Sequence, residues 1–139
     1  MRYYCPRCWQ DFPEDVPRCP DCGLEIHQFL SEKDYVEKLI LGLDHPQQDT
    51  PIRAASILGG IGDVRAVQPL IALIKRTKDV YIATAAVRAL GQIGTPEAYD
   101  FLQTLRHHEA RMVEEAAADV LKQASAQGHA ASAKNRETR

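Results

Sequence analysis

From residue 23 onward the chain has no cysteine; all four stand at positions 5, 8, 19 and 22. No thiol is therefore left elsewhere for nucleophilic catalysis, and no disulfide framework can run through the rest of the chain. Nowhere does an apolar run approach the roughly 18 residues that a membrane span needs. The opening Met1-Arg2-Tyr3-Tyr4-Cys5 lacks the apolar core of a secretion signal, so a cytoplasmic location is expected. There is no G-x-x-x-x-G-K-[ST] loop: Gly59-Gly60-Ile61-Gly62 has neither the lysine nor a preceding strand. A nucleophile elbow is missing too. Base is not in excess, since the net charge is -2. Residues 1–27 carry three arginines against five acids, and residues 28–126 eleven cations against thirteen acids. Neither segment suits a phosphate backbone, so nucleic acid is disfavoured as a partner.

What is present begins with Cys5-Pro6-Arg7-Cys8 and Cys19-Pro20-Asp21-Cys22, a C-x2-C-x10-C-x2-C pattern. Two residues between cysteines let a tight turn aim both sulfurs at one ion, and two such turns close a tetrahedron of thiolates about 2.3 Å from Zn(II). The metal ligands expected are Cys5, Cys8, Cys19 and Cys22. Four thiolates leave no open coordination position, so the zinc should be structural. Iron is the less favoured ion because the gap between the pairs is short. Two disulfides would suit a secreted chain, and a redox C-x-x-C would explain either pair but not both. The spacer holds Pro13 and Pro17 and predicts a hairpin or irregular loop. The pattern resembles zinc-ribbon and rubredoxin-like knuckles, with Cys19-Pro20-Asp21-Cys22-Gly23 matching the C-P-x-C-G form. In the first knuckle Trp9 stands where that family has glycine, and a tryptophan disfavours the positive φ of such a turn. Its ring would pack over the site or against the following helices.

The rest of the chain repeats. Leu58-Gly59-Gly60-Ile61-Gly62-Asp63 returns 32 residues later as Leu90-Gly91-Gln92-Ile93-Gly94-Thr95. Ala54 falls on Ala86, Leu70 on Leu102 and Leu73 on Leu105 at the same offset. A fixed period of this size with apolar helical spacing marks a helical repeat array. The fold expected is mainly α: a short α-solenoid of about six helices behind a small N-terminal zinc-ribbon-like module. Its divisions are residues 1–28 for the module, 31–125 for the helical repeats and 126–139 for a tail expected to be disordered.

Ser31 reads as the N-cap of a first helix carrying Val36, Leu39, Ile40 and Leu43, which align with Val67, Leu70, Ile71 and Ile74. That helix looks like the second half of a repeat, and the module would cover its open end as terminal caps do. Residues 44–51 read as a loop. Helices follow from Pro51 or Ile52 to Ile61, Val64 to about Lys75, Val80 to Ile93, Pro96 to about Arg106, and from near Glu109 onward. Gly59 and Gly91 would let neighbouring helices approach closely, and Gly62 and Gly94 would supply left-handed turns.

Residues 52–107 resemble HEAT-like repeats of the kind found in phycobilin lyases, through Arg53-Ala54-Ala55, Leu58-Gly59, Ile61-Gly62-Asp63, Ala66-Val67, Pro69-Leu70 and Leu73. The resemblance implies a binding scaffold whose second helices line a concave face. Polar positions there, expected to meet a protein partner, are Arg65, Gln68, Lys75, Asp100, Gln103 and Arg106. An enzyme or accessory factor acting on tetrapyrroles is the alternative it implies, and nucleic-acid binding through the ribbon a third. The exposed apolar ends of so short an array would also let it pair with a second copy. No catalytic constellation is expected. His107-His108-Glu109 is the one dense polar cluster, and it holds a single His-Glu dyad, whereas deoxyhypusine hydroxylase, a HEAT-like enzyme, builds its di-iron site from several. Met112 also stands where H-E-x-x-H needs a second histidine.

Overall fold

The computed structural model describes residues 2–127. Strands β1 (Tyr3–Tyr4) and β2 (Asp11–Phe12) pair antiparallel, Tyr3 opposite Phe12. The first cysteine pair sits in the turn they form. An isolated bridge between Arg18 and Glu25 frames the second pair in the same manner. A short helix, α1 (Ile26–Ser31), follows; its Phe29 and Leu30 pack with Cys5, Phe12, Cys19 and Leu24 in a small core of their own.

Ser31 closes α1 instead of capping the next helix; its hydroxyl donates to the Gln28 carbonyl at 2.8 Å. The cap of α2 (Tyr35–Gly42) is Asp34, in a full capping box. The Glu37 amide donates to Asp34 Oδ1 at 2.8 Å and the Asp34 amide to Glu37 Oε1 at 3.0 Å. Serine-x-x-acid at 31–34 and aspartate-x-x-glutamate at 34–37 are both capping patterns, and the chain uses the second because α1 occupies Ser31.

Five more helices complete the array: α3 (Asp49–Ile61), α4 (Val67–Arg76), α5 (Val80–Ile93), α6 (Pro96–Thr104) and α7 (Arg111–Gln127). With α1, the described residues hold seven α-helices, six of them in the array. α3 begins two residues before the expected proline, since Pro51 lies in its first turn, where a missing N–H costs nothing. A 3₁₀ turn over Val64–Ala66, capped by Asp63, precedes α4, and another over Leu105–His107 follows α6. Thr95 caps α6, accepting from the Ala98 amide at 3.1 Å, with Pro96 at the first helical position. α7 starts at Arg111 because His108 Nδ1 takes the Ala110 amide at 2.9 Å and delays the helix.

α5 packs against α3 on one side and α7 on the other, with α4 and α6 behind it. Leu58, Leu70, Leu90 and Leu102 are fully buried in the shared core. Small residues set the spacing of the first-helix layer. A Cβ on Gly59 would stand 2.9 Å from the Ala89 Cα, and one on Gly91 would run into the Val120 side chain. Polar bonds tie one repeat to the next at the repeat period. Asp34 pairs with Arg65 at 2.8 Å, 31 positions on, and Gln48 donates to Asp79 at 2.6 Å, again 31 positions on. Asp44 pairs with Arg76. No helix among the described residues is long and apolar enough to cross a membrane.

Candidate metal centre and interaction surfaces

The two knuckles are built alike. The Cys5 amide donates to the Gln10 carbonyl at 3.0 Å and the Trp9 amide to the Cys5 carbonyl at 2.8 Å. In the second, the Cys19 amide donates to Leu24 at 2.8 Å and Gly23 to Cys19 at 3.0 Å. Both turns use a left-handed residue, Gly23 at φ 81° and Trp9 at φ 60°. The geometry expected to be awkward for tryptophan is adopted all the same, and its indole packs on the array side, against His45 at 5.2 Å.

The sulfurs of Cys5, Cys8, Cys19 and Cys22 lie within 4.8 Å of one another. Cys5 and Cys22 sulfurs are 3.5 Å apart, Cys8 and Cys19 sulfurs 3.7 Å. A tetrahedron of four sulfurs at about 2.3 Å from zinc has edges of about 3.8 Å, so these residues fit such an ion. Backbone amides already point at the thiols: Arg7 donates to Cys5 Sγ, and Asp21 and Cys22 to Cys19 Sγ, each at 3.4 Å. These amides stabilise thiolate charge. The bond from Cys22 leads in bringing the Cys19 thiol down to about 7. Cys8, although it takes the Gln10 amide, is pushed up to about 12 by desolvation and by the three neighbouring thiols. One sulfur gives up its proton readily and a neighbour holds on to its own. A dication would replace those protons, so the cluster could hold a metal ion.

Among the described residues the other histidines stay apart from the sulfurs. His27 pairs with Asp15 at 2.8 Å. His107 is exposed at the end of a 3₁₀ turn and His108 Nδ1 accepts the Ala110 amide, so among the described residues the His-Glu dyad assembles no ligand set.

The six polar positions chosen for a partner are divided in their use. Arg65 pairs with Asp34 and Asp63, Gln68 donates to Glu97 at 2.6 Å, and the Lys75 ammonium sits over the Phe101 ring at 5.7 Å. Those three tie the array to itself. Asp100, Gln103 and Arg106 are exposed on α6 and the turn after it. On the opposite layer an open cleft of about 800 Å³ crosses α3, α5 and α7. Small residues such as Ala85, Ala89 and Ala116 form its floor, and Arg88, Gln92, Asp119 and Gln123 reach into it. These four carry no motif in the sequence, although Asp119 follows Arg88, and Gln123 follows Gln92, by one repeat period.

Comparison with protein families finds that HEAT repeats match residues 36–122. The chain belongs to the HEAT-repeat family. A comparison with curated protein sequences found no match. The matched span runs from α2 into α7, through all six helices of the array, and leaves the cysteine module outside it. Helical repeats of this family serve as scaffolds for protein interaction, through the extended faces that stacked helices create.

Proposed function

We propose that this chain is a non-catalytic scaffold that captures another protein, with a structural zinc ion holding its N-terminal module. The cleft across α3, α5 and α7 carries the reading. It is long, open and built from equivalent positions of successive repeats, so it suits an extended segment lying across the helices. Gln92 and Gln123 offer carboxamides that both donate and accept, as a peptide backbone requires. Arg88 and Asp119 set opposite charges one helix apart, a spacing of about 8–10 Å. A polyproline-type segment repeats its facing side chain every three residues, about 9.3 Å, so an acid and a base three positions apart would meet both. The α6 face with Asp100, Gln103 and Arg106 is the second candidate surface, and Arg65, Gln68 and Lys75 beside it are already engaged.

A photo-crosslinking amino acid placed at Gln92 or at Gln103 tests the two faces. Crosslinks from Gln92 that vanish in the Arg88→Glu, Asp119→Arg double variant support the cleft. Crosslinks from Gln103 alone would move the interface to α6, and none from either position would sink the scaffold reading. Elemental analysis tests the metal. One zinc per chain is expected, and a coloured, iron-containing protein would overturn the zinc assignment.

A further inference from the structure

We infer that Trp9 and Tyr4 form a metal-dependent clasp: closing the ion site holds their rings on His45, so metal occupancy decides whether the N-terminal module is docked on the helical array. The inference rests on reading the four cysteines as a metal site.

The first observation is the comparison of the two knuckles. They share every backbone bond of the turn, yet one uses glycine at the left-handed position and the other tryptophan. Nothing lies within 4 Å of where a Cβ on Gly23 would point. At Trp9, the one non-glycine with positive φ among the described residues, a side chain is kept in a conformation that disfavours it. Such an outlier persists where the side chain is needed.

The second observation is where that side chain goes. Trp9 follows Cys8 and Tyr4 precedes Cys5, so the two aromatics flank the first knuckle. Both meet one imidazole edge-on: Tyr4 to His45 at 4.3 Å and 62°, Trp9 to His45 at 5.2 Å and 63°. His45 stands in the turn between α2 and α3, its ring fixed by the Gln47 amide donating to Nδ1 at 3.1 Å. Module and array otherwise keep separate cores. Between them a cleft of about 310 Å³ opens, bordered by Tyr4, Trp9, Leu41 and His45.

The third step is physical. A hairpin of two-residue strands is not stable alone, and in small metal modules ion binding is the folding free energy. Without the ion nothing fixes the left-handed turn, and the two rings leave His45. Metal loss then uncovers Leu41 and His45 at the first turn of the array and frees the module to meet something else.

Trp9 is the one tryptophan of the chain, so its fluorescence reports the clasp directly. The experiment uses the full chain, zinc-loaded and chelated, with metal counted by elemental analysis. Chelation is expected to shift the emission to the red and raise quenching by acrylamide severalfold. In His45→Ala the loaded protein should already show that shift while keeping its zinc. In Trp9→Gly zinc should also be kept, while the His45 ring resonances move part of the way to their values in the chelated protein. An indole equally quenched with and without zinc overturns the clasp and leaves the metal site standing. So do His45 resonances indifferent to Trp9→Gly. A chain that binds no metal overturns both.

Discussion

The module and the array solve the same problem with different means. The array buries fully covered leucines from successive helices in one continuous core and needs nothing from outside the chain. The module buries Cys5, Phe12, Cys19, Leu24 and Ile26 and little else. A segment of that size cannot offset its conformational entropy by burial alone, so it needs a staple. Burial grows with every repeat added, whereas an ion supplies its stabilisation at one point. The array should therefore lose stability in increments, and the module all at once.

The sharpest test is to remove the ion. Structural zinc sites contribute on the order of 10–16 kcal/mol of apparent binding free energy at neutral pH. A strong chelator, or Cys19→Ser, should therefore unfold the module outright while the helical circular dichroism melt moves by only a few degrees. If the melt collapses with the metal, the two regions form one cooperative unit and the contrast drawn above is wrong.

Next in size is a hole in the array. Leu90 is fully buried in α5 between the helices on either side. Leu90→Ala should cost about 2–5 kcal/mol, read as a drop in the array's midpoint by calorimetry with zinc content unchanged. A matching loss of zinc would again join what is here kept separate.

Gly59 and Gly91 sharpen the comparison within the array. The Cβ of Gly59→Ala would stand 2.9 Å from the Ala89 backbone, which cannot rotate away. At Gly91 the obstacle is the Val120 side chain, near the far edge of the layer. Overpacking of this kind costs about 1–3 kcal/mol, and Gly59→Ala should sit at the upper end with Gly91→Ala below it. Denaturant midpoints of the two variants decide the order.

These differences also explain what could be read from the sequence. Periodicity exposes contacts that recur, so α5 was legible to the residue from Val80 to Ile93, with Gly94 as its left-handed stop. That the four cysteines come together was legible because their spacing is itself the chemistry. What escaped is what depends on a single tertiary contact. Ser31 and Asp34 both head capping patterns, and only the packing of Phe29 and Leu30 onto the cysteine core assigns Ser31 to α1. The φ of Trp9 ran against the residue's own preference, and the competing term, His45, lies 36 positions away in sequence. Arg65 read as a free surface cation because its partner Asp34 sits one repeat back.

That pair gives the smallest effect, and pH isolates it. Asp34 is held below the ordinary carboxylate value of 3.8, first by the Glu37 amide of its cap and then by Arg65. Asp63 is held below it chiefly by Arg65. In the unfolded chain both carboxylates bind protons at the ordinary value, and in the folded chain only at lower pH. Their contribution is therefore fully present above about pH 4 and is lost as pH falls through the folded values. All three side chains are solvent-facing to some degree, so screening keeps the Asp34–Arg65 coupling small. A double-mutant cycle with Asp34→Asn and Arg65→Gln should return a small coupling at pH 7 that weakens as acid takes the pH below 3.8 and through the folded values, and that shrinks in high salt. The melts belong on the array's helical signal, because acid would also protonate the proposed metal ligands. A coupling indifferent both to acid and to salt would mean Arg65 holds the repeats together by packing its stem, not by charge.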